Sequence, residues 1–263
     1  MTNQDILKIA MTQSAIDSHC SPEDFMENEN KVVISEIDDK ARRYLALPFI
    51  CDLTTYGRGV VASVSEALVE PVTMFLAAYK SEHCFEMPNL LVLQDFLAPQ
   101  GLSICFMAEY FLPDLEALKI LKHISCAYEV RILTPADFDA LYLPEWSNAL
   151  CESRRHLDVL GVGAYDGDIL VGLAGCSADC ETMWQIGVDV LPDYRHKGIA
   201  SAITSRLAIE VLNHNKVPFY CCAWSNISSV RNALKSGFRP AWVQMTVKPR
   251  SFVDQMNKHI CLD

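Results

Sequence analysis

The chain has 263 residues, 51% of them apolar and 21% charged, with a formal net charge of −11. That size and apolar content allow a substantial core and two ordinary domains, which excludes a disordered protein. No stretch approaches the roughly 20 uncharged apolar residues of a membrane span, and "MTNQDILKIA" has neither the basic nor the apolar region of a secretion signal, so a cytoplasmic protein without membrane partners is expected.

The acidic excess is uneven: residues 1–125 carry a net −9 and residues 126–263 only −2. This argues against a nucleic-acid partner and suits a cationic one, although a solvated acidic surface is the simpler reading. The 11 cysteines are scattered through apolar runs such as "SICFMAEY" and "FYCCAW", as free thiols in a reducing compartment would be. Cys176 and Cys180, followed by Glu181, supply too few ligands at the wrong spacing for zinc, and no metal is expected.

In chain order, "NQDILKIAMTQSAI" has apolar residues at helical spacing, and "SPEDF" looks like a second helix start with Ser21 as cap and Pro22 in the first turn. "KVVISEI" and "YLALPFICDL" are predicted strands. Gly57-Arg58-Gly59 is a turn, or an anion-binding helix start if a helix follows. The next run, "VVASVSEALVEPVTMFLAAYK", fits a helix but begins with strand-like alternation, and pattern alone leaves it open. "PNLLVLQDFLA" is a predicted helix and "LSICFMAEYFL" a predicted strand.

A helix in "LPDLEALKILKHISCAYE" links this half to a new pattern. "YEVRIL" is a strand, Thr134 caps a helix in "PADFDALY", and "PEWSNAL" to "RRHL" is helical or looped. "VLGVGAY" and "ILVGLAGCSA", joined through Asp166-Gly167-Asp168, form a predicted hairpin. Gly161-Val162-Gly163 lies inside this strand and lacks the third glycine and following helix of a dinucleotide fingerprint. Domain limits of 1–125 and 126–263 follow.

After the strand "TMWQIGVDVL" comes "PDYRHKGIASAITSRLAIEVLNH". Pro192 cannot extend a ladder, and Ile199, Ile203, Leu207 and Val211 recur every fourth residue, so a helix starts near Gly198. The unpaired N–H groups and positive dipole end of such a start suit phosphate oxygens. Gly198 and Ala200 leave room for close approach, while Arg195 and Lys197 add charge, so a pyrophosphate is expected there.

The order of "VDVLPDYRHKGIA", "VPFYCCAW" and "NISSVRNALKSGFRP" resembles the GNAT superfamily of acyl-CoA-dependent N-acetyltransferases over about residues 128–248. The resemblance implies an α/β fold, a GNAT-type mixed central sheet flanked by helices, with an additional N-terminal α/β domain. It implies acetyl-CoA as co-substrate, with Arg195, His196, Lys197, Gly198, Ile199, Ala200 and Ser201 at the pyrophosphate, Val188 and Val190 offering backbone groups to the pantetheine arm, and Asn226 and Ser229 near that arm. Asn226 also suits an N-cap. The tyrosine that many such enzymes carry four residues before the "GF" glycine is here Ala233. Tyr220, Cys222, Ser225 and Ser229 are near in sequence, and nothing separates them as proton donors. For the base, Glu181 and Asp189 flank the central strand; Asp189 should face away from Val188 and Val190, and Glu181 is equally a hairpin residue.

Two functions stay open: transfer of acetyl to a primary amine by direct attack in a ternary complex, and an acyl-CoA-binding or interaction protein whose active site has lapsed. No motif names the acceptor: an aminoglycoside, a polyamine, an amino acid and a protein N-terminus or lysine stay open, and the acidic first half tilts the expectation toward a small-molecule cationic amine. A homodimer is compatible with the resemblance, but no seam is legible.

Overall fold

The computed structural model describes residues 1–121 and 126–258. It forms two compact units, one of Met1–Ala10 and Tyr110–Pro240, the other of Met11–Glu109 and Ala241–Asp263. These limits differ from a single division at 125/126. The chain returns to the second unit at its C-terminal end because residues 243–246 pair with residues 52–55, a ladder that no local pattern reveals.

The second unit contains β1 (Lys31–Ile34), β2 (Cys51–Thr55), β3 (Val60–Val64), α2 (Val69–Ala78) and α3 (Met87–Leu97). The long strands β4 (Leu102–Pro113) and β10 (Phe238–Pro249) and the helix α1 (Asn3–Ser18) each contribute residues to both units. β1 runs parallel to β3, and β2 lies antiparallel between β3 and β10. Leu53, Val60, Phe75, Leu93 and Met245 are core residues here, each at most 1% exposed.

Several local expectations change in this unit. The ambiguous "VVASV" is strand β3, buried on both faces, and such a strand presents a continuous apolar run that periodicity cannot assign. In "YLALPFICDL" only Cys51 onward is strand, and Pro48, which has no N–H to donate, lies outside the ladder. Gly57, with φ of +89°, makes the β2–β3 turn, so no helix start exists there to bind an anion. The start at Ser21 makes a single 3-10 turn, Pro22–Phe25, closed by Asp24.

The first unit contains α4 (Leu115–Leu121), β5 (Glu129–Leu133), β6 (Asp158–Asp166), β7 (Ile169–Ser177), β8 (Met183–Val190), α5 (Ile199–Asn213), β9 (Val217–Cys222) and α6 (Ile227–Lys235). The last helix, α7 (Arg250–Asn257), belongs to the other unit. The linking helix is described as far as Leu121, and its expected continuation through 122–125 lies outside the described residues. The helix expected after Thr134 is instead two 3-10 turns, although the Thr134–Asp137 capping box forms.

The strand order is β4-β9-β8-β7-β6-β5. β5 to β8 are antiparallel neighbours, and β8 and β9 are parallel. The hairpin turns at Gly167, with φ of +61°. Ile199, Ile203, Leu207 and Val211 are at most 1% exposed and pack α5 on Val162, Val171 and Ala174 of the sheet. A Cβ on Gly172 would lie 2.7 Å from Ile199 Cγ2, so the missing side chain seats the first residue of α5 against β7. That contact fixes the N-terminus of α5 beside the end of β8.

Among the described residues no helix is long and apolar enough to cross a membrane.

Candidate functional site

The site begins where β8 stops. A 3-10 turn, Pro192–Tyr194, leads to Arg195, whose Nε donates to the Val190 carbonyl at 3.1 Å and ties the turn to the strand end. Tyr194 donates to Asp166 at 2.9 Å, and Lys197 Nζ lies 4.7 Å from the Tyr194 ring centre. Gly198 has φ of +80°, a left-handed conformation at the N-cap that glycine adopts without penalty. Its carbonyl accepts from Ala202 N and Ser201 Oγ, at 3.1 and 3.0 Å. The N–H groups of Ile199, Ala200 and Ser201 lie in the first helical turn, where no intrahelical acceptor exists. A Cβ on Gly198 would meet nothing within 4 Å, so the space beside the turn is open.

Two clefts meet at this turn. One, of about 360 Å³, is lined by Arg195, His196, Gly198, Ile199, Ala200 and Ser201, with Arg231 and Lys235 from α6. The other, of about 490 Å³, lies between the diverging ends of β8 and β9. The β8–β9 ladder runs from Met183↔Val217 to Ile186↔Tyr220 and stops. Beyond it Gly187 to Val190 are paired only on the β7 side, which leaves ladder groups of Val188 and Val190 facing the cleft. Val190, Arg195 and Ala200 line this cleft also, and Asn226 and Ser229 close its α6 side. Asn226 is the N-cap of α6: its Oδ1 accepts from Ser229 N at 3.2 Å and from Ser228 Oγ at 2.9 Å. Lys197 instead faces a separate cleft beside α5.

The expected proton-transfer residues are dispersed. Asp189 lines the cleft, but its carboxylate accepts from Asn148 N, Asn148 Nδ2 and Ala149 N, at 2.8, 2.7 and 3.0 Å. Glu181 precedes β8, at the end away from the β8–α5 turn; its backbone carbonyl accepts from Lys216 Nζ at 2.6 Å. Ser225 is exposed, and its carbonyl accepts from Ile227 N at 2.9 Å. Neither Glu181 nor Ser225 lines a cleft at the turn. Ala233, at the position where the resembling enzymes carry tyrosine, is 0% exposed within the core.

Tyr220 and Asn148 also line the cleft. Strand alternation in "VPFYCCAW" places Tyr220 and Cys222 on one face, a signal that selects Tyr220 once the strand is known. Asn148 gives no such signal, because it arrives from a loop 41 residues away from Asp189. Among the described residues no group of three or more His, Cys, Asp or Glu side chains converges as a metal site would require.

A family model, GNAT acetyltransferase, matches residues 97–241, more than half of the chain. The chain belongs to the GNAT acetyltransferase family. Similar solved structures include a GNAT-family protein from Novosphingobium aromaticivorans (14% identity, TM-score 0.42, covering 56% of this chain and 66% of that one). A second is a GCN5-related N-acetyltransferase-like protein from Streptococcus suis (20% identity, TM-score 0.44, covering 62% and 69%). A third is a Salmonella typhimurium protein solved with acetyl-CoA (17% identity, TM-score 0.34, covering 47% and 94%). The chain thus spans slightly less than two thirds of the first of these proteins. No curated protein matches the sequence.

Proposed function

We propose that this protein transfers acetyl from acetyl-CoA to a primary amine, by direct attack of the amine in a ternary complex. The observation that carries this reading is the junction of the β8–β9 fork with the open, left-handed N-cap of α5. Diphosphate oxygens would take the N–H groups of Ile199 to Ser201, with Arg195 and His196 supplying charge. The pantetheine arm would run along Val188 and Val190, as an extra strand would, past Asn226 and Ser229. Acetyl-CoA supplies an activated acyl thioester; the protein supplies position. Water takes the proton of the attacking amine, since the Asp189 carboxylate already accepts three hydrogen bonds.

A small cationic amine is the acceptor class in this reading, supported by the net −9 of residues 1–125. A cytoplasmic setting accords with free thiols at all ten described cysteines. A second reading, acyl-CoA binding without turnover, has the buried Ala233 in its favour.

The test is calorimetric titration with acetyl-CoA of the native chain and of Gly198→Glu, which adds a like charge to the phosphate position. Saturable binding that the folded variant loses supports the site, and mass spectrometry of a panel of amines then separates turnover from binding alone. A native chain that binds no acetyl-CoA overturns both readings.

A further inference from the structure

The inner end of the fork holds a pair of hydroxyl groups. Tyr220 is the last β9 residue in the β8–β9 ladder, and it is 4% exposed. Its ring is fixed edge-on to Phe111 and tilted against Phe238, with centroids 6.4 and 6.2 Å away. Its hydroxyl stands 2.6 Å from Ser229 Oγ, a short O–H···O hydrogen bond, and both residues line the cleft. Burial pushes the phenol pKa up, against the pull of hydrogen bonds from Ser229 and Asn232, so the phenol keeps its proton at neutral pH.

The pair lies where the reacting end of an extended ligand would stop. From Val190 at the phosphate turn to Ile186 at the fork is four strand residues, about 13 Å at roughly 3.3 Å each. The ladder closes at Ile186 and Tyr220, so an extended ligand that enters from the other end of the fork can reach no deeper than this pair. A proton donor at the thioester sulfur assists departure of the thiolate, and the buried Ala233 has none to give.

We infer that Ser229 donates a proton to the departing thiolate and that Tyr220 acts behind it as the positioning and reprotonating group. This rests on the reading of the cleft as the acetyl-CoA site. The amine nitrogen forms the C–N bond and the C–S bond breaks, with its electron pair passing to sulfur. The Ser229 hydroxyl proton passes to that sulfur, and the Tyr220 phenol proton passes to Ser229 Oγ. The amine releases its surplus proton to water, and the phenolate recovers one from water. The phenol thus reaches the face of α6 from a neighbouring strand, although the helix itself carries alanine one turn after Ser229.

The test uses CoA with ¹³C at the carbon bonded to sulfur, whose chemical shift follows ionisation of the thiol. In complex with the full chain, a donor pair favours the thiolate. The thiol pKa in Ser229→Ala should therefore lie above that in the native complex by about one unit, as expected for loss of a hydrogen bond to an anion. Tyr220→Phe, which keeps the ring packing, should raise it less, and Ser229→Thr, which keeps the hydroxyl, should restore it. CoA affinity, measured by calorimetry, sets the concentration at which each variant is saturated, so that every thiol titration reports the bound form. Binding with the same thiol titration in the native chain and in both Ser229→Ala and Tyr220→Phe overturns this inference alone. A native chain that binds no CoA overturns the site reading and this inference together.

Discussion

The carboxylate of Asp189 accepts hydrogen bonds from both the backbone and the side-chain amide of Asn148, at 2.8 and 2.7 Å. Beneath this clamp the loop touches bare backbone. A Cβ on Gly187 would stand 1.8 Å from the Asn148 carbonyl oxygen, and one on Gly175 would stand 2.1 Å from that of Ala149. Two paired glycines and one carboxylate therefore fix the wall of the cleft.

Gly187→Ala should push residues 148–149 off the sheet and cost about 1–3 kcal/mol or more, as overpacking against backbone does. Asp189→Asn should cost less, about 1–2 kcal/mol, because it weakens charge-assisted hydrogen bonds without adding volume. Urea denaturation measures both. The ordering would be wrong if Gly187→Ala were as stable as the native chain.

At Gly198 the obstacle to substitution is conformational, since a Cβ there meets nothing within 4 Å. Gly198→Ala should destabilise by about 1–2 kcal/mol, the penalty of a left-handed φ, and Gly198→Asn by less. Thermal unfolding of the two variants checks the order.

In the second unit, Asp52 is 1% exposed and accepts from Gln244, Thr246 and Thr54. Burial raises its pKa from 3.8 to about 6, against the opposing pull of those hydrogen bonds and of Arg42. The folded protein thus binds a proton that the unfolded chain has released between these values. This group's stabilising contribution is complete below the unfolded pKa of 3.8 and is lost as pH rises through about 6. Asp52→Asn should remove the dependence, gaining on the native chain by up to about 3 kcal/mol between pH 4 and 7.5. Gln244 can turn its otherwise unpartnered Oε1 toward the new amide. Urea midpoints of the two proteins across this range measure the gain, and parallel pH profiles would refute it.

Asp17 and Arg42 form an ion pair with both side chains 2% exposed, and Arg42 lies 5.6 Å from the Trp242 ring centre. Arg42→Met should cost about 3–5 kcal/mol, because it strands a buried carboxylate, whereas Arg42→Met with Asp17→Leu should recover much of that loss. A double-mutant cycle in urea gives the coupling directly.

Much of the candidate site was legible before the fold was known. Pro192, Gly198 and the fourfold apolar spacing from Ile199 locate a strand end, a helix start and the turn between them, all within about 20 residues. Asn226 is the N-cap its sequence suggests. The proton-transfer residues were less legible: Glu181 and Ser225 stand away from the clefts, and Asp189 is engaged by a loop.

By itself, the sequence determined α5 and the β6–β7 hairpin, because periods of 3.6 and 2 and a two-residue turn are written in consecutive residues. It also determined the family, through three motifs in order along one half of the chain. Tertiary structure alone decided that β3 is a strand, that β10 pairs with β2, and that Asp189 holds Asn148. It also brought the Tyr220 hydroxyl to Ser229. Those relations depend on which faces pack together and where a ladder stops, and such contacts join segments whose local patterns carry no information about each other.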